Sequence, residues 1–223
     1  FRRIIEEKTA ILDIGGGSIQ ISLFDKDTLV STQNLRLGVL RLQELLNHLN
    51  AGSTQMEQLV DELATAQLDD YKKLYLKDRE IKNIIIVDDY LSPWAVRKAH
   101  ERGDGNAMVD SKAFYQLMEA LRTRGTTELA KRMDIAEEKV PLVYISAVLT
   151  KRIAELMGAA LIWAPGVTLC DGIAYEYAEQ NKLLRGEHDF AEDIIACAMN
   201  ISKRYNGSTR RADTLEHITT TIF

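Results

Sequence analysis

Long apolar runs are missing from this sequence. No stretch of its 223 residues approaches the ~20 needed to cross a bilayer as a helix, so a membrane-spanning protein is not expected. An excess of basic charge is missing too: 28 Lys and Arg stand against 33 Asp and Glu, a formal net charge of −5. Nucleic-acid binding calls for a concentrated basic face, so nucleic-acid partners are not expected either. Cysteine is scarce. Cys170 and Cys197 lack metal-site spacing and read as reduced thiols of a cytoplasmic protein. His48, His100, His188 and His217 are scattered and form no ligand set, and Trp94 and Trp163 read as packing residues. Two phosphate signatures are absent: there is no G-x-x-x-x-G-K-[ST], and no G-x-G-x-x-G opening a helix. Internal repeats and low-complexity tracts are absent as well. No signal peptide is visible, and a start at Phe1 rather than Met leaves room for residues before it.

What is present is ordinary in bulk and unusual at one place. Hydrophobic residues make up 46% and charged residues 27%, values that allow a soluble domain with a real core. The chain is organised around Ala10-Ile11-Leu12-Asp13-Ile14-Gly15-Gly16-Gly17-Ser18. An apolar run ends in an aspartate, three glycines and a serine, and a second apolar run follows (Ile19, Ile21, Leu23), which reads as strand, tight turn, strand. A triple-glycine turn can take positive φ and admit a close neighbour. Its successive amides can form a nest for an anion such as phosphate. Asp13 at the mouth can hold a hydrated divalent cation, since carboxylates suit Mg²⁺. The alternative is a glycine-rich hairpin with no ligand.

Around that turn the chain reads as α/β. Phe1 to Lys8 is the tail of an earlier helix or a linker. Thr9 to Ile14, Ile19 to Phe24 and Thr28 to Leu37 form a β-meander, with Asp25-Lys26-Asp27 as a turn. Leu40, Leu42, Leu45, Leu46 and Leu49 lie at helical spacing in a helix ending near Asn50-Ala51-Gly52. A second helix, capped by Ser53, is predicted from Met56 to about Lys77, with Leu59, Leu63, Leu68 and Leu74 facing the core. Ile84-Ile85-Ile86-Val87 reads as a strand buried on both faces. It ends in Asp88-Asp89, at the end of a strand where ligands gather in open α/β sheets. The pair either serves a metal or leads into a helix opened by Ser92-Pro93. Gly103-Asp104-Gly105-Asn106 is a turn, and helices are predicted over Lys112 to Arg122, Thr126 to Met133 and Pro141 to Met157. A short strand, Ala159 to Trp163, precedes a helix from Ile173 to Leu184. After Gly186 the pattern is wholly helical: Asp189 to Tyr205, then Arg210 to Phe223.

The Asp-Ile-Gly-Gly-Gly-Ser stretch in a β-meander, followed by Arg36-Leu37-Gly38 leading into a helix, resembles the Ppx/GppA phosphatases. These are the exopolyphosphatases and guanosine pentaphosphate phosphohydrolases of the actin/Hsp70/sugar-kinase superfamily. The apolar helix ending at Met157, the strand after it and the Asp-Gly turn continue the likeness. The resemblance implies a ribonuclease-H-like lobe with a mixed five-stranded sheet and flanking helices over residues 1–186. Residues 187–223 would begin an α-helical, HD-like C-terminal domain. It implies that two lobes close on a phosphate chain, that this chain is the second lobe, and that Mg²⁺ and carboxylates activate water against inorganic polyphosphate or pppGpp. Gly15, Gly16, Gly17 and Ser18 would bind phosphate, Asp13 the metal, and Gln20 would orient water. A homodimer formed by the full-length protein is a further implication.

Three positions depart from the family pattern. Where the family carries Gly-Gly-Gly-Ser-Thr-Glu, this chain has Ser18-Ile19-Gln20, and an amide orients water but cannot accept its proton as a carboxylate does. Where the family carries Gly-x-Ser-Gly-Thr after the buried strand, this chain has Val87-Asp88-Asp89-Tyr90-Leu91-Ser92-Pro93. A like-charge contact at ~4 Å costs on the order of 4 kcal/mol at an effective dielectric near 20, so a phosphate approaches there only with a cation between. Where the family carries Leu-Arg-Glu-Gly, this chain has Leu169-Cys170-Asp171-Gly172, and the anion-facing arginine is Cys170. Three readings follow: the phosphate-binding lobe of a phosphoanhydride hydrolase, inactive alone; a catalytically degenerate phosphate- or nucleotide-sensing module; and, against the Asp88-Asp89 loop, a lobe of a sugar or acetate kinase.

Overall fold

Strand alternation sets the architecture. A computed structural model describes residues 4, 7–49, 53–103, 108–186 and 190–222. Strand β1 (Thr9–Ile14) turns Ala10, Leu12 and Ile14 to the core and Ile11 and Asp13 to the other face. Strand β2 (Ile19–Asp25) does the same with Ile19, Ile21 and Leu23, leaving Gln20 exposed. Strand β3 (Thr28–Leu35) completes the antiparallel meander, and β4 (Asn83–Asp88) and β5 (Leu161–Trp163) pair in parallel. The mixed five-stranded sheet runs β3-β2-β1-β4-β5. On β4, Ile84, Ile85 and Ile86 are all buried, the expected mark of a strand covered on both faces.

One face of the sheet carries the core, built against helices α1 (Val39–His48), α2 (Ser53–Tyr71) and a later apolar helix, α6 (Val140–Met157). The leucines of α1 are split between two faces. Val39, Leu42 and Leu46 are buried, whereas Leu40, Leu45 and Leu49 are exposed, because five leucines in ten residues exceed one stripe. On α2 the core stripe is Val60, Ala64, Leu68 and Tyr71, with Leu59 and Leu63 at its flank. A π-turn over Lys72–Leu76, closed by the Lys77 amide on the Lys72 carbonyl, then inserts an extra residue. The phase slip buries Leu76 and leaves Leu74 exposed, contrary to the predicted stripe.

The remaining helices are α3 (Ser92–Glu101), α4 (Ser111–Thr123), α5 (Thr126–Met133), α7 (Leu169–Gln180), α8 (Phe190–Arg204) and α9 (Thr209–Ile222). Helix α7 begins four residues before the predicted Ile173. Thr168 and Asp171 form a capping box there, with the Asp171 carboxylate accepting from the Thr168 amide at 2.7 Å. Helix α8 packs on the β3 edge, where the Asp193 carboxylate accepts from the Leu29 amide at 3.0 Å and the Asn200 amide donates to the Val30 carbonyl at 3.0 Å. The Asn50-Ala51-Gly52 stop, Asp104, Gly105 and Asn106 of the predicted turn, His188, Asp189, Phe223 and most of the Phe1–Lys8 segment lie outside the described residues; Gly103 has a φ of 70°.

Helices α2, α4 and α6 are joined by one carboxylate. Glu57 accepts from Arg122 at 2.6 and 2.7 Å, from Lys151 at 3.2 Å and from the Tyr144 hydroxyl at 3.2 Å. The Arg122 hydrogen bond leads the effects that lower the Glu57 carboxyl from the usual 4.5 to about 2, while burial first, then the Glu57 charge, pushes Tyr144 up to about 12. A depressed carboxyl contributes stability that is present above its unfolded value and lost as pH falls through its folded one. The lobe will therefore lose stability between about pH 4.5 and pH 2. Glu57→Gln should flatten that part of the stability–pH curve, as urea melts at stepped pH will read.

Candidate functional site

Trans peptide geometry decides which way the glycine turn faces. The Gly15 carbonyl accepts from the Val39 amide (3.0 Å), that of Gly16 from the Arg41 amide (3.1 Å), and that of Ser18 from the Gly15 amide (3.0 Å). The Gly17 carbonyl accepts from Arg41 Nε at 3.1 Å. All four acceptors are thus satisfied, three of them from the first turn of α1. A trans peptide points its N–H opposite its C=O, and the chain contains no cis peptide among the described residues. The amides of Gly16, Gly17 and Ser18 are therefore turned away from α1, and among the described residues they donate to nothing. Three adjacent free donors are the groups that a backbone nest offers to an oxyanion. The loop also caps α1, whose N-cap Gly38 offers no side chain.

The glycines are there for space, not for left-handed backbone, since Gly15, Gly16 and Gly17 do not take positive φ. A Cβ on Gly38 would stand 2.1 Å from the Gly17 carbonyl carbon and 2.3 Å from both the Gly16 oxygen and the Ser18 nitrogen. A Cβ on Gly16 would come within 2.9 Å of Leu40 Cδ1. Leu40, though half exposed, shields this part of the loop, and Gly17 remains open at the tip.

Strand register gathers the other candidates on the face away from the core. Asp13 lies opposite Gln20, and Gln20 opposite Asn34. Residues directly opposite share a face, so these three polar side chains form one exposed row next to the loop. The Asn34 amide donates to Ser18 Oγ at 3.1 Å, which orients that hydroxyl. Asp13 is brought near Asp89, and its carboxyl is raised above its ordinary value by burial first and by the Asp89 charge second. Asp88 points the other way. It is buried and accepts from the Leu91 amide (2.8 Å), the Ser92 amide (2.6 Å) and Ser146 Oγ (2.6 Å). One aspartate of the pair ties β4 to the start of α3 and to α6, while its neighbour joins the polar face.

No family model and no curated protein matches the sequence. Solved structures do. The Ppx/GppA enzyme of Aquifex aeolicus aligns over 70% of this chain and 52% of its own, at 13% identity and a TM-score of 0.55. An exopolyphosphatase from Cytophaga hutchinsonii aligns over 74% and 58%, at 15% identity and 0.55. An exopolyphosphatase-like protein aligns over 80% and 61%, at 17% identity and 0.58. This chain has the Ppx/GppA fold. It spans 52–61% of the length of these structures.

On that Ppx/GppA frame, the loop, Asp13 and Gln20 stand together at one end of the sheet, while Cys170 sits exposed in the first turn of α7. Reading the sequence alone missed Asn34 and Arg41. Asn34 was legible as an outward position of β3 in register with Gln20. Arg41 was legible only as the third residue of a helix following a glycine. No helix among the described residues is long and apolar enough to cross a membrane.

Proposed function

We propose that this chain is the phosphate-binding lobe of a phosphoanhydride hydrolase of the Ppx/GppA type, acting on inorganic polyphosphate or pppGpp. The three outward amides of Gly16, Gly17 and Ser18 carry the reading, because nothing among the described residues uses them. They would cradle a terminal phosphoryl group, with Gly15 closing the turn behind them. Asp13, with Asp89 beside it, fits a hydrated Mg²⁺. Burial first and the Asp89 charge second raise the Asp13 carboxyl, and a cation beside it would offset both. No group of three or more metal-type side chains exists among the described residues. Mg²⁺ keeps several of its waters and is held by one or two carboxylates together with substrate oxygens, the role proposed for Asp13 and Asp89. When bound, the ion would neutralise phosphate charge. Gln20, on the same face, would orient the attacking water through its amide without accepting its proton.

Phosphoryl transfer rests on positioning and on charge stabilisation from several sides. One surface does not enclose a reacting group, so hydrolysis would require the opposing lobe. In the same reading residues 187–223 open the family's helical domain, which would support a homodimer of the whole protein, and the setting is the cytoplasm. Titration of this chain with inorganic tripolyphosphate, with and without Mg²⁺, tests the site. We expect Mg²⁺-dependent binding that Asp13→Asn abolishes, with phosphate release no faster than in buffer. Absence of binding under both conditions would sink the reading. The amide at Gln20 and the acids at Asp88-Asp89 favour a second reading, a phosphate- or nucleotide-sensing module without turnover. Release of phosphate by the full-length protein, lost on Gln20→Ala, would decide for the hydrolase.

A further inference from the structure

We infer that Arg41 is the positioning residue of the glycine loop, holding the Gly17–Ser18 peptide with its amide facing the ligand. This rests on the anion-binding reading of that loop. The peptide has two faces. Its carbonyl is the third of the loop's four acceptors, and it is the one satisfied by a side chain. The Gly15 and Gly16 carbonyls are locked by backbone amides of α1 and would stay locked with any residue but proline at position 41. The Gly17 carbonyl depends on Arg41 Nε. Gly17 is also the loop residue with the most room on its open side, nothing lying within 4 Å of where its Cβ would be, and Gly38, which packs behind the Gly17–Ser18 peptide, has no side chain to pin it. Without the Arg41 bond, the Gly17 carbonyl is free to turn outward, and the Ser18 amide turns inward with it.

Arg41 is exposed and forms no ion pair among the described residues, so it is not held for another purpose. The guanidinium donates from behind the loop, on the side of the carbonyls. It therefore acts through the peptide and not by touching the anion. A donor on the carbonyl also polarises the peptide and strengthens its N–H toward an anion.

Atom positions along the side chain allow a clean test. Glutamine Nε2 occupies the place of arginine Nε, methionine matches the length without a donor, and lysine keeps the charge but puts a methylene at that place. Tripolyphosphate affinity should stay within about threefold in Arg41→Gln. It should fall about tenfold in Arg41→Met and Arg41→Lys, the weight of one charge-assisted hydrogen bond from the displaced Ser18 amide. Thermal midpoints serve as the folding control. Amide ¹⁵N resonances and exchange rates of Gly17 and Ser18, taken without ligand, should move in Arg41→Met and not in Arg41→Gln. This readout does not depend on anion binding, so it separates the two ideas. Wild-type protein that ignores tripolyphosphate defeats the anion-binding reading, whereas unmoved Gly17 and Ser18 resonances in Arg41→Met defeat the role of Arg41. Loss of affinity in Arg41→Gln equal to that in Arg41→Met would overturn it as well, in favour of the charge.

Discussion

Gly38→Ala should destabilise the lobe by roughly 3 kcal/mol, the upper part of the usual overpacking range. The backbone at Gly38 is extended, with φ −67° and ψ 150°, which alanine adopts without strain. The effect is therefore steric alone. The added carbon would meet the carbonyl carbon of Gly17, the oxygen of Gly16 and the nitrogen of Ser18, all at 2.3 Å or less. All three are backbone atoms, which cannot rotate aside as a side chain would. The loop must lift from α1, and the bonds from Val39 and Arg41 that orient it must lengthen or break. For a chain of this length, ~3 kcal/mol corresponds to a fall in melting temperature of roughly 6–12 °C. Tripolyphosphate binding should vanish with it. Gly17→Ala is the control, since the new methyl meets nothing within 4 Å. Its melting temperature should shift by no more than ~0.5 kcal/mol implies, as for other surface changes. A Gly38→Ala protein that melts with the wild type would show that the loop does not rest on α1.

How far the sequence could be read depends on how local the determining physics is. The β-meander was legible because Leu12, Ile14, Ile19, Ile21 and Leu23 alternate with Asp13, Gln20 and Ser22 on either side of the glycine turn, and alternation is a property of the strand itself. The glycine turn was legible as a place of close approach; of the two reasons for glycine there, left-handed backbone and space, only space applies. The crowding comes from Gly38, more than twenty residues on, and no local pattern reports it. The buried face of α1 was blurred because leucines occupy both faces. The slip at Leu74 came from a π-turn, which has no composition of its own. The orientation of the loop amides followed from Val39 and Arg41, contacts that exist only once the helix packs on the turn. Fold class was therefore readable, while the direction in which the site faces was not.

The adjacent aspartates at the end of β4 should give opposite outcomes when replaced one at a time. Strand alternation continues past Val87, so Asp88 turns to the core side with Ile86 and Asp89 to the side of Asp13. Asp88→Ala removes one acceptor group and leaves three donors behind, the Leu91 and Ser92 amides and Ser146 Oγ. Each buried unsatisfied group costs about 1–3 kcal/mol. Water will reach some of them, so a total of roughly 3–5 kcal/mol is expected, near the top of the range for single substitutions. Ser146→Ala removes one donor and leaves the two backbone bonds to Asp88, so it should cost about 1 kcal/mol. Asp89→Ala touches an exposed carboxylate and should leave stability within ~0.5 kcal/mol of wild type. Mg²⁺-dependent tripolyphosphate binding should be lost in the Asp89 variant alone of those that remain folded. Guanidinium melts of the three proteins, paired with titrations, separate the roles. An Asp88→Ala protein of wild-type stability would mean that the carboxylate is not the tie between β4, α3 and α6. An Asp89→Ala protein that binds normally would remove the second carboxylate from the cation site and leave Asp13 to hold the ion with substrate oxygens.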